Sequence, residues 1–270
     1  VLVDRGLAAS RPQAVELIQQ GHVIVSGSVA DKPARLVAPS EPVELLSVVR
    51  YVGRGGEKLA AALEGFSLDV SGCRALDAGA STGGFTDCLL QAGAAHVYAV
   101  DVGHGQLHAR LRADSKVTCR ERLDIRDVTL DDLDGVPVDL AVADLSFIPL
   151  SRVVDALTGP LVRTGSPLVV LVKPQFEAGR VEVSRGRGVI RDPEVQAAAL
   201  AQAIEGLRQA GTGVLGAMPS PITGHAGNVE FLVWGRVGIP GRETGSPAPE
   251  MDRELVDSAM ARLRPEIQQG

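Results

Sequence analysis

From residue 72 onward the chain alternates short apolar runs with stretches of helical spacing. That alternation limits the possible folds more than any other feature. Candidate strands are Arg74–Ala78, His96–Asp101, Lys116–Arg120, Val138–Ala143, Leu168–Lys173, Thr212–Met218 and Val229–Trp234. Candidate helices are Gly84–Ala92, Gln106–Arg112, Leu150–Thr158 and Pro193–Ala210. Short apolar strands spaced by helices predict an α/β fold, a mostly parallel seven-stranded sheet covered on both faces. A loop, not a helix, joins the last two strands, which predicts an antiparallel pair.

The first of these strands runs into Asp77-Ala78-Gly79-Ala80-Ser81-Thr82-Gly83-Gly84-Phe85. A strand feeding glycines and then a helix makes a tight turn with exposed backbone N–H groups, suited to a nucleotide-like ligand. It is not a phosphate-binding P-loop, because no Gly-Lys-Ser/Thr follows. A carboxylate at Asp77 would repel a pyrophosphate but can pair with a ligand amine. Asp101 closes the next strand, where an acid can bind a ribose diol. Asp124, after the third strand, can accept from an adenine amino group. Together these favour a nucleoside cofactor with a cationic or zwitterionic tail. A turn without a ligand, or a dinucleotide dehydrogenase, stays open on these residues alone.

Three charged residues lie at strand ends: Asp144 after Val142-Ala143, Lys173 after Leu168–Val172, and Glu230 in Gly227-Asn228-Val229-Glu230. Such positions face the ligand crevice of an open sheet. A lysine closing an apolar strand is a candidate base, with a structural salt bridge as the alternative.

Residues 1–48 read as a smaller α+β unit. Ser10 caps a helix with Gln13 as its box partner, Ala14, Leu17 and Ile18 form its stripe, and Gly21 stops it. Short extended pieces follow at Val23–Val25, through Val29, and at Val43–Leu46. Arg5, Arg11, Lys32 and Arg35 can gather on one face, or be ordinary surface charge. Residues 49–60 read as a junction, with helix from about Gly56 to Leu63 and a flexible linker as the alternative. Residues 238–250 are rich in Gly and Pro, and the rest of the tail suits one amphipathic helix.

Composition sets limits. The net charge of −6 argues against wholesale coating of DNA but leaves room for a local basic patch. Aromatics are 3% of the chain, too few for rows of stacking rings. No apolar run approaches the roughly 18 residues of a membrane span, and no secretory signal is visible. The three cysteines, Cys73, Cys88 and Cys119, form no CxxC pair. They suit a reducing cytoplasm and offer no zinc site.

Several motifs together resemble one family. In the head these are Arg5-Gly6-Leu7-Ala8, Ser10-Arg11, Leu17-Ile18, Gly21 and Lys32-Pro33. In the body they are Arg54-Gly55-Gly56-Glu57-Lys58-Leu59, Asp77 to Phe85, Ala99 to Asp101 with Gly103, Ala143-Asp144-Leu145-Ser146-Phe147, Lys173-Pro174-Gln175-Phe176-Glu177 and Gly227-Asn228-Val229-Glu230. The chain resembles the TlyA family, an S4-type RNA-binding domain fused to an FtsJ-like ribose 2'-O-methyltransferase and often labelled haemolysin. The resemblance covers residues 1 to about 236, with the usual start before Val1 missing.

It implies a Rossmann-like class I methyltransferase fold over 61–237 and an S4 domain over 1–48, with 49–60 joining them and 238–270 as a tail. It implies S-adenosylmethionine as donor, no metal requirement, and cytidine ribose in 16S and, in some members, 23S ribosomal RNA as acceptor. The implied catalytic set is Lys58, Asp144, Lys173 and Glu230. The implied cofactor residues are Asp77, Gly79, Ala80, Ser81, Thr82, Gly83, Gly84, Phe85, Asp101, Val102, Asp124, Ile125 and Asp144. Many relatives carry Asn where this chain has Asp124. RNA contacts are expected from Arg5, Arg11, Lys32, Arg54, Arg180, Arg185, Arg187 and Arg191, and the stretch around 179–191 also reads as a solvated loop. A non-catalytic ribosome assembly factor and a membrane-acting haemolysin are the other classes.

Overall fold

The computed structural model describes residues 1–8, 10–19, 21–30, 32–45, 50–178, 188–224, 227–238 and 248–263. The chain divides into two compact units, Val1–Arg50 and Tyr51–Gly270. Arg180, Arg185 and Arg187 lie outside the described residues.

The small unit packs α1 (Arg11–Gln19) on a three-stranded antiparallel sheet of β1 (Val23–Val25), β2 (Ser28–Val29) and β3 (Val43–Leu45), in the order β2-β1-β3. Ser10 Oγ accepts from the Gln13 N–H at 3.3 Å, as an N-cap does. Leu2, Ala8, Leu17, Val23, Val25 and Ala30 form its core.

The large unit is built on seven strands: β4 (Arg74–Ala78), β5 (His96–Asp101), β6 (Val117–Glu121), β7 (Leu140–Ala143), β8 (Pro167–Val172), β9 (Thr212–Pro219) and β10 (Phe231–Val237). Their order is β6-β5-β4-β7-β8-β10-β9. The first five are parallel, and β10 runs antiparallel to both β8 and β9. This confirms the antiparallel expectation, and it has a consequence. The start of β10 lies at the same edge as the ends of the parallel strands, and Phe231 sits opposite Val172.

Successive strand residues face opposite layers. Leu76, Ala78, Val170, Val172 and Phe231 pack with α5 (Val154–Thr158), α7 (Pro193–Gln209) and α8 (Ala248–Ala261). Ala75, Val97, Val142, Leu171 and Leu232 pack with α2 (Gly55–Gly65) and α3 (Gly84–Gln91). The long helix α7 starts where Asp192 caps it and Pro193 occupies its first turn. Helices α2 and α3 meet at glycines: a Cβ on Gly84 would stand 2.9 Å from the Gly56 nitrogen. Tyr51 and Val52 are already buried in this unit.

Two expected helices differ. The helix read over Gln106–Arg112 is only α4 (Ala109–Arg112). His108 is extended and its Nδ1 caps Arg110, while the Glu121 carboxylate holds the preceding N–H groups. The helix read over Leu150–Thr158 splits into a 3₁₀ turn, Leu150–Arg152, and α5, because Val153 leaves helical geometry. Strand β10 begins at Phe231, two residues later than expected.

Leu76 lies at the centre of the sheet, fully buried. Leu76→Ala is expected to lower unfolding free energy by about 2–5 kcal/mol in urea titrations. A loss below about 1 kcal/mol would contradict close packing there.

Candidate active site

The turn after β4 is shaped by contact with the end of β7. Gly79 has φ +85, and a Cβ there would stand 2.6 Å from the Asp144 carbonyl oxygen. No other residue fits without moving one of the two segments. Asp101, at the end of β5, joins the turn to the next loop. Its Oδ2 accepts from the Ser81 N–H at 2.8 Å and its Oδ1 from the Gly103 N–H at 2.6 Å.

Beside this turn lies a cavity of about 450 Å³, within the range of small-molecule sites. Its wall includes Gly79, Ser81, Asp101, Val102, Asp124, Ile125 and Asp144. Those seven expected cofactor residues are therefore brought together. Others are not on the wall. Ala80 and Phe85 are core side chains, and Thr82, Gly83 and Gly84 carry the turn behind it.

Asp77 also departs from expectation. It has 0% exposure, so its carboxylate does not face the crevice. Its Oδ2 accepts from the Thr86 hydroxyl at 2.6 Å, and its Oδ1 has no hydrogen-bond partner. Burial, with Asp144 and Asp101 adding repulsion, pushes this carboxyl up to about 7, although Thr86 pulls the other way.

Asp124 faces the cavity with its carboxylate already engaged. Arg126 binds it through Nε at 2.9 Å and a terminal nitrogen at 2.7 Å, and the Arg126 N–H adds a third bond at 3.0 Å. Those bonds hold its pKa below the usual carboxylate range. Adenine contact at Asp124 would therefore be shared with Arg126. Sequence reading missed Glu121, which organises the same rim. Its carboxylate accepts from the N–H groups of Gly105, Gln106 and Leu107 and from Arg112. These bonds, the Gly105 N–H foremost, hold it down to about 2. The loop it fixes sends Gln106 back to the Ser81 hydroxyl.

The four expected catalytic residues form two ion pairs. Lys58, in the first turns of α2, pairs with Glu230, just before β10. Lys173, just after β8, lies 2.6 Å from Asp144 Oδ1, just after β7. Lys58 and Lys173 are only 7% and 8% exposed, and Glu230 is 3% exposed. A Cβ on Gly55 would stand 3.6 Å from Asp144 Oδ2, so the helix carrying Lys58 abuts the second pair. Arg54 donates to the Thr223 carbonyl, tying the head of α2 to the loop before Glu230. Asp87 supports the same segment by accepting from the Val52 N–H at 2.9 Å and from Arg110 at 2.8 Å.

Phe147 entered the sequence reading only as the end of a motif, with no role of its own. It is 91% exposed with φ +65, unusual for an aromatic residue. Its ring centroid lies 5.2 Å from that of Phe176. The available signal was an apolar residue following Asp144-Leu145-Ser146 at a strand end.

In the small unit Arg11, Lys32 and Arg35 line one hollow of about 330 Å³. Arg5 does not join them. Its guanidinium donates to the carbonyls of Ala38, Pro39 and Glu41 and so fastens its own loop.

Residues 51–237 match the FtsJ-like methyltransferase family, and residues 1–43 match the S4 domain. The chain belongs to the FtsJ-like methyltransferase family. Within it, the chain is of the TlyA type. It is 47% identical over 235 residues to Mycobacterium tuberculosis TlyA, named a 16S/23S rRNA (cytidine-2'-O)-methyltransferase, covering 86% of this chain and 87% of that one. It is 38% identical over 229 residues to Brachyspira hyodysenteriae Hemolysin A, covering 85% and 95%. A solved structure from Streptococcus thermophilus with a provisional hemolysin name superposes with TM-score 0.75 at 36% identity, covering 97% of this chain and 94% of that one. This TlyA-type chain is thus a methyltransferase, and its fold implies S-adenosylmethionine as donor. The cavity's lining fits that group in kind: the carboxylates of Asp101, Asp124 and Asp144 can accept from hydroxyl, amine or cationic groups, and Val102 and Ile125 add apolar surface.

Two results are expected. Lys58→Met leaves Glu230 buried and unpaired, at a cost of about 3–5 kcal/mol in urea unfolding. The double variant Lys58→Met/Glu230→Leu recovers most of that loss, and a double variant as unstable as the single one would show that burial is not the cause. The second concerns pH. The folded protein holds the Asp77 proton more tightly than the unfolded chain, so stability falls as pH rises from 3.8 towards about 7. Asp77→Asn is expected to flatten that slope, which parallel stability measurements across this range would reveal.

Proposed function

We propose that this chain transfers a methyl group from S-adenosylmethionine to the ribose 2'-OH of cytidines in 16S and 23S ribosomal RNA. The supporting observation is the convergence of two ion pairs, Lys58–Glu230 and Lys173–Asp144, from four separated segments, with Asp144 on the wall of the cofactor-sized cavity. The name of the M. tuberculosis relative supports the substrate.

When bound, S-adenosylmethionine supplies an electrophilic methyl group on a sulfonium. Gly79, Ser81, Asp101, Val102, Asp124 and Ile125 would hold the nucleoside end. Asp144 would face the tail, and Asp77, behind the turn, would act through its charge only. Lys173 orients the 2'-OH and, when its own proton has left, accepts the hydroxyl proton. Asp144 holds Lys173 in place by ion contact. Lys58 and Glu230 neutralise one another and place the ribose at the crevice. Positioning of this kind carries much of the rate. Phe147 offers one exposed ring at the cavity rim, enough to receive a single displaced base. Arg54 and, in the head, Arg11 and Lys32 would meet phosphates, as would Arg191 at the exposed surface of the body.

The hemolysin names of some relatives suggest a membrane activity instead. Among the described residues no helix is long and apolar enough to cross a membrane. Nothing in the site favours that reading over methyl transfer.

The test incubates the protein with labelled S-adenosylmethionine and 30S subunits, 50S subunits or naked ribosomal RNA, then maps the modified nucleotides. Lys173→Ala is expected to lose roughly 10²–10⁴-fold in rate while still binding RNA and S-adenosylhomocysteine. Full activity in that variant would remove Lys173 from the chemistry.

A further inference from the structure

Besides lying 5.9 Å from the centre of the Phe176 ring, the Lys173 nitrogen meets two oxygens that do different work. Nζ lies 2.6 Å from Asp144 Oδ1 and 2.6 Å from Ser146 Oγ. The serine contact is an aligned hydrogen bond. The aspartate contact is close in distance but not aligned, and Asp144 Oδ1 has no hydrogen-bond partner. A charge attracts an ammonium from many directions, whereas a hydrogen bond fixes one direction.

We infer that Ser146 is the positioning residue that aims the Lys173 nitrogen at the substrate hydroxyl. The strand β8 fixes the stem of Lys173, and the bond to Ser146 fixes rotation about Cε–Nζ. The remaining tetrahedral positions of the nitrogen then point in defined directions. A serine oxygen suits this work because it accepts an N–H from an ammonium and from a neutral amine alike. The aim therefore survives the proton transfer. Asp144 supplies charge, and Ser146 supplies direction.

Ser146 is itself held. It lies between the end of β7 and Leu150, whose N–H donates to Glu177 Oε1 at 2.9 Å. Glu177 ends α6 (Pro174–Glu177), the helix that follows Lys173 directly. Ring contact between Phe147 and Phe176 joins the same two segments. The segment bearing Ser146 and the segment bearing Lys173 are thus clamped twice next to their mutual hydrogen bond.

This inference rests on the methyl-transfer reading, so two measurements are needed. The first compares wild type, Ser146→Ala and Ser146→Thr for methyl transfer to ribosomal subunits, with product affinity by calorimetry. Ser146→Ala is expected to lower kcat by about 10–100-fold, with KM and S-adenosylhomocysteine affinity within about twofold. Ser146→Thr keeps the hydroxyl and is expected to restore most of kcat. The second needs no RNA: acylation of Lys173 by an N-hydroxysuccinimide ester, followed by peptide mass spectrometry. Untethering is expected to raise the labelling rate several-fold in Ser146→Ala but not in Ser146→Thr.

An unchanged kcat in Ser146→Ala would overturn the inference. So would a loss of product affinity equal to the loss of kcat, which would make Ser146, already on the cavity wall, a cofactor-binding residue and not a positioning one. If no ribosomal substrate is methylated, the acylation contrast decides alone: its presence supports the positioning role, and its absence overturns it.

Discussion

Two lysines sit almost entirely out of water in this fold, and each is tolerated because a carboxylate from a distant stretch of chain meets it. Lys58 with Glu230 spans 172 positions of sequence. Lys173 and Asp144 close two neighbouring strands. Removing such charges from water is costly, and their attraction offsets that cost only when the geometry is close. The pairs therefore require several things at once. Helix α2 has to press onto α3 at glycines. The Gly79 turn has to pass against Asp144. Strand β10 has to run backwards so that Glu230 reaches the edge where Lys173 ends its strand.

The same edge shows how one residue type is tuned by its surroundings. Asp77 and Glu121 are both carboxyl groups near the cofactor crevice. Asp77 is fully buried with one hydroxyl for company, and its proton is held to about 7. Glu121 collects three backbone N–H groups and an arginine, and its proton is shed at about 2. Asp77 is thus a group whose charge a bound cation could draw out. Glu121 is a permanent anion that shapes a loop.

The strand-end residues were legible because an open sheet has one crevice edge, and polar groups closing apolar strands point to it. Asp144, Lys173 and Glu230 were found in that way. The place of Lys58 in the set was not legible from spacing, since nothing local in Gly55-Gly56-Glu57-Lys58 shows burial; it came from family resemblance, and its pairing with Glu230 from the structure. Depth was equally invisible. Asp77 and Phe85 belong to a glycine-rich turn by sequence, yet one is sealed behind it and the other fills the core. Arg5 is exposed, but its part in fastening its own loop was not legible, because the carbonyls it binds lie more than 30 positions away. The shortened α4 followed from Glu121, which competes for backbone N–H groups across a turn of chain that no helix pattern records.

Net acidity looked awkward for an RNA-directed protein, and its placement removes the difficulty. Asp77, Asp87 and Glu230 are buried, so they present no surface to a phosphate. Asp144 and Asp124 are each in contact with a cation. Formal charge counts these acids at full weight, whereas an approaching polyanion senses the surface potential. The scarcity of aromatics is resolved in a similar manner. A sheet that reads several bases needs several rings. A site that works on one ribose, as proposed for this chain, needs at most one, and Phe147 stands beside Ser146 at the cavity rim.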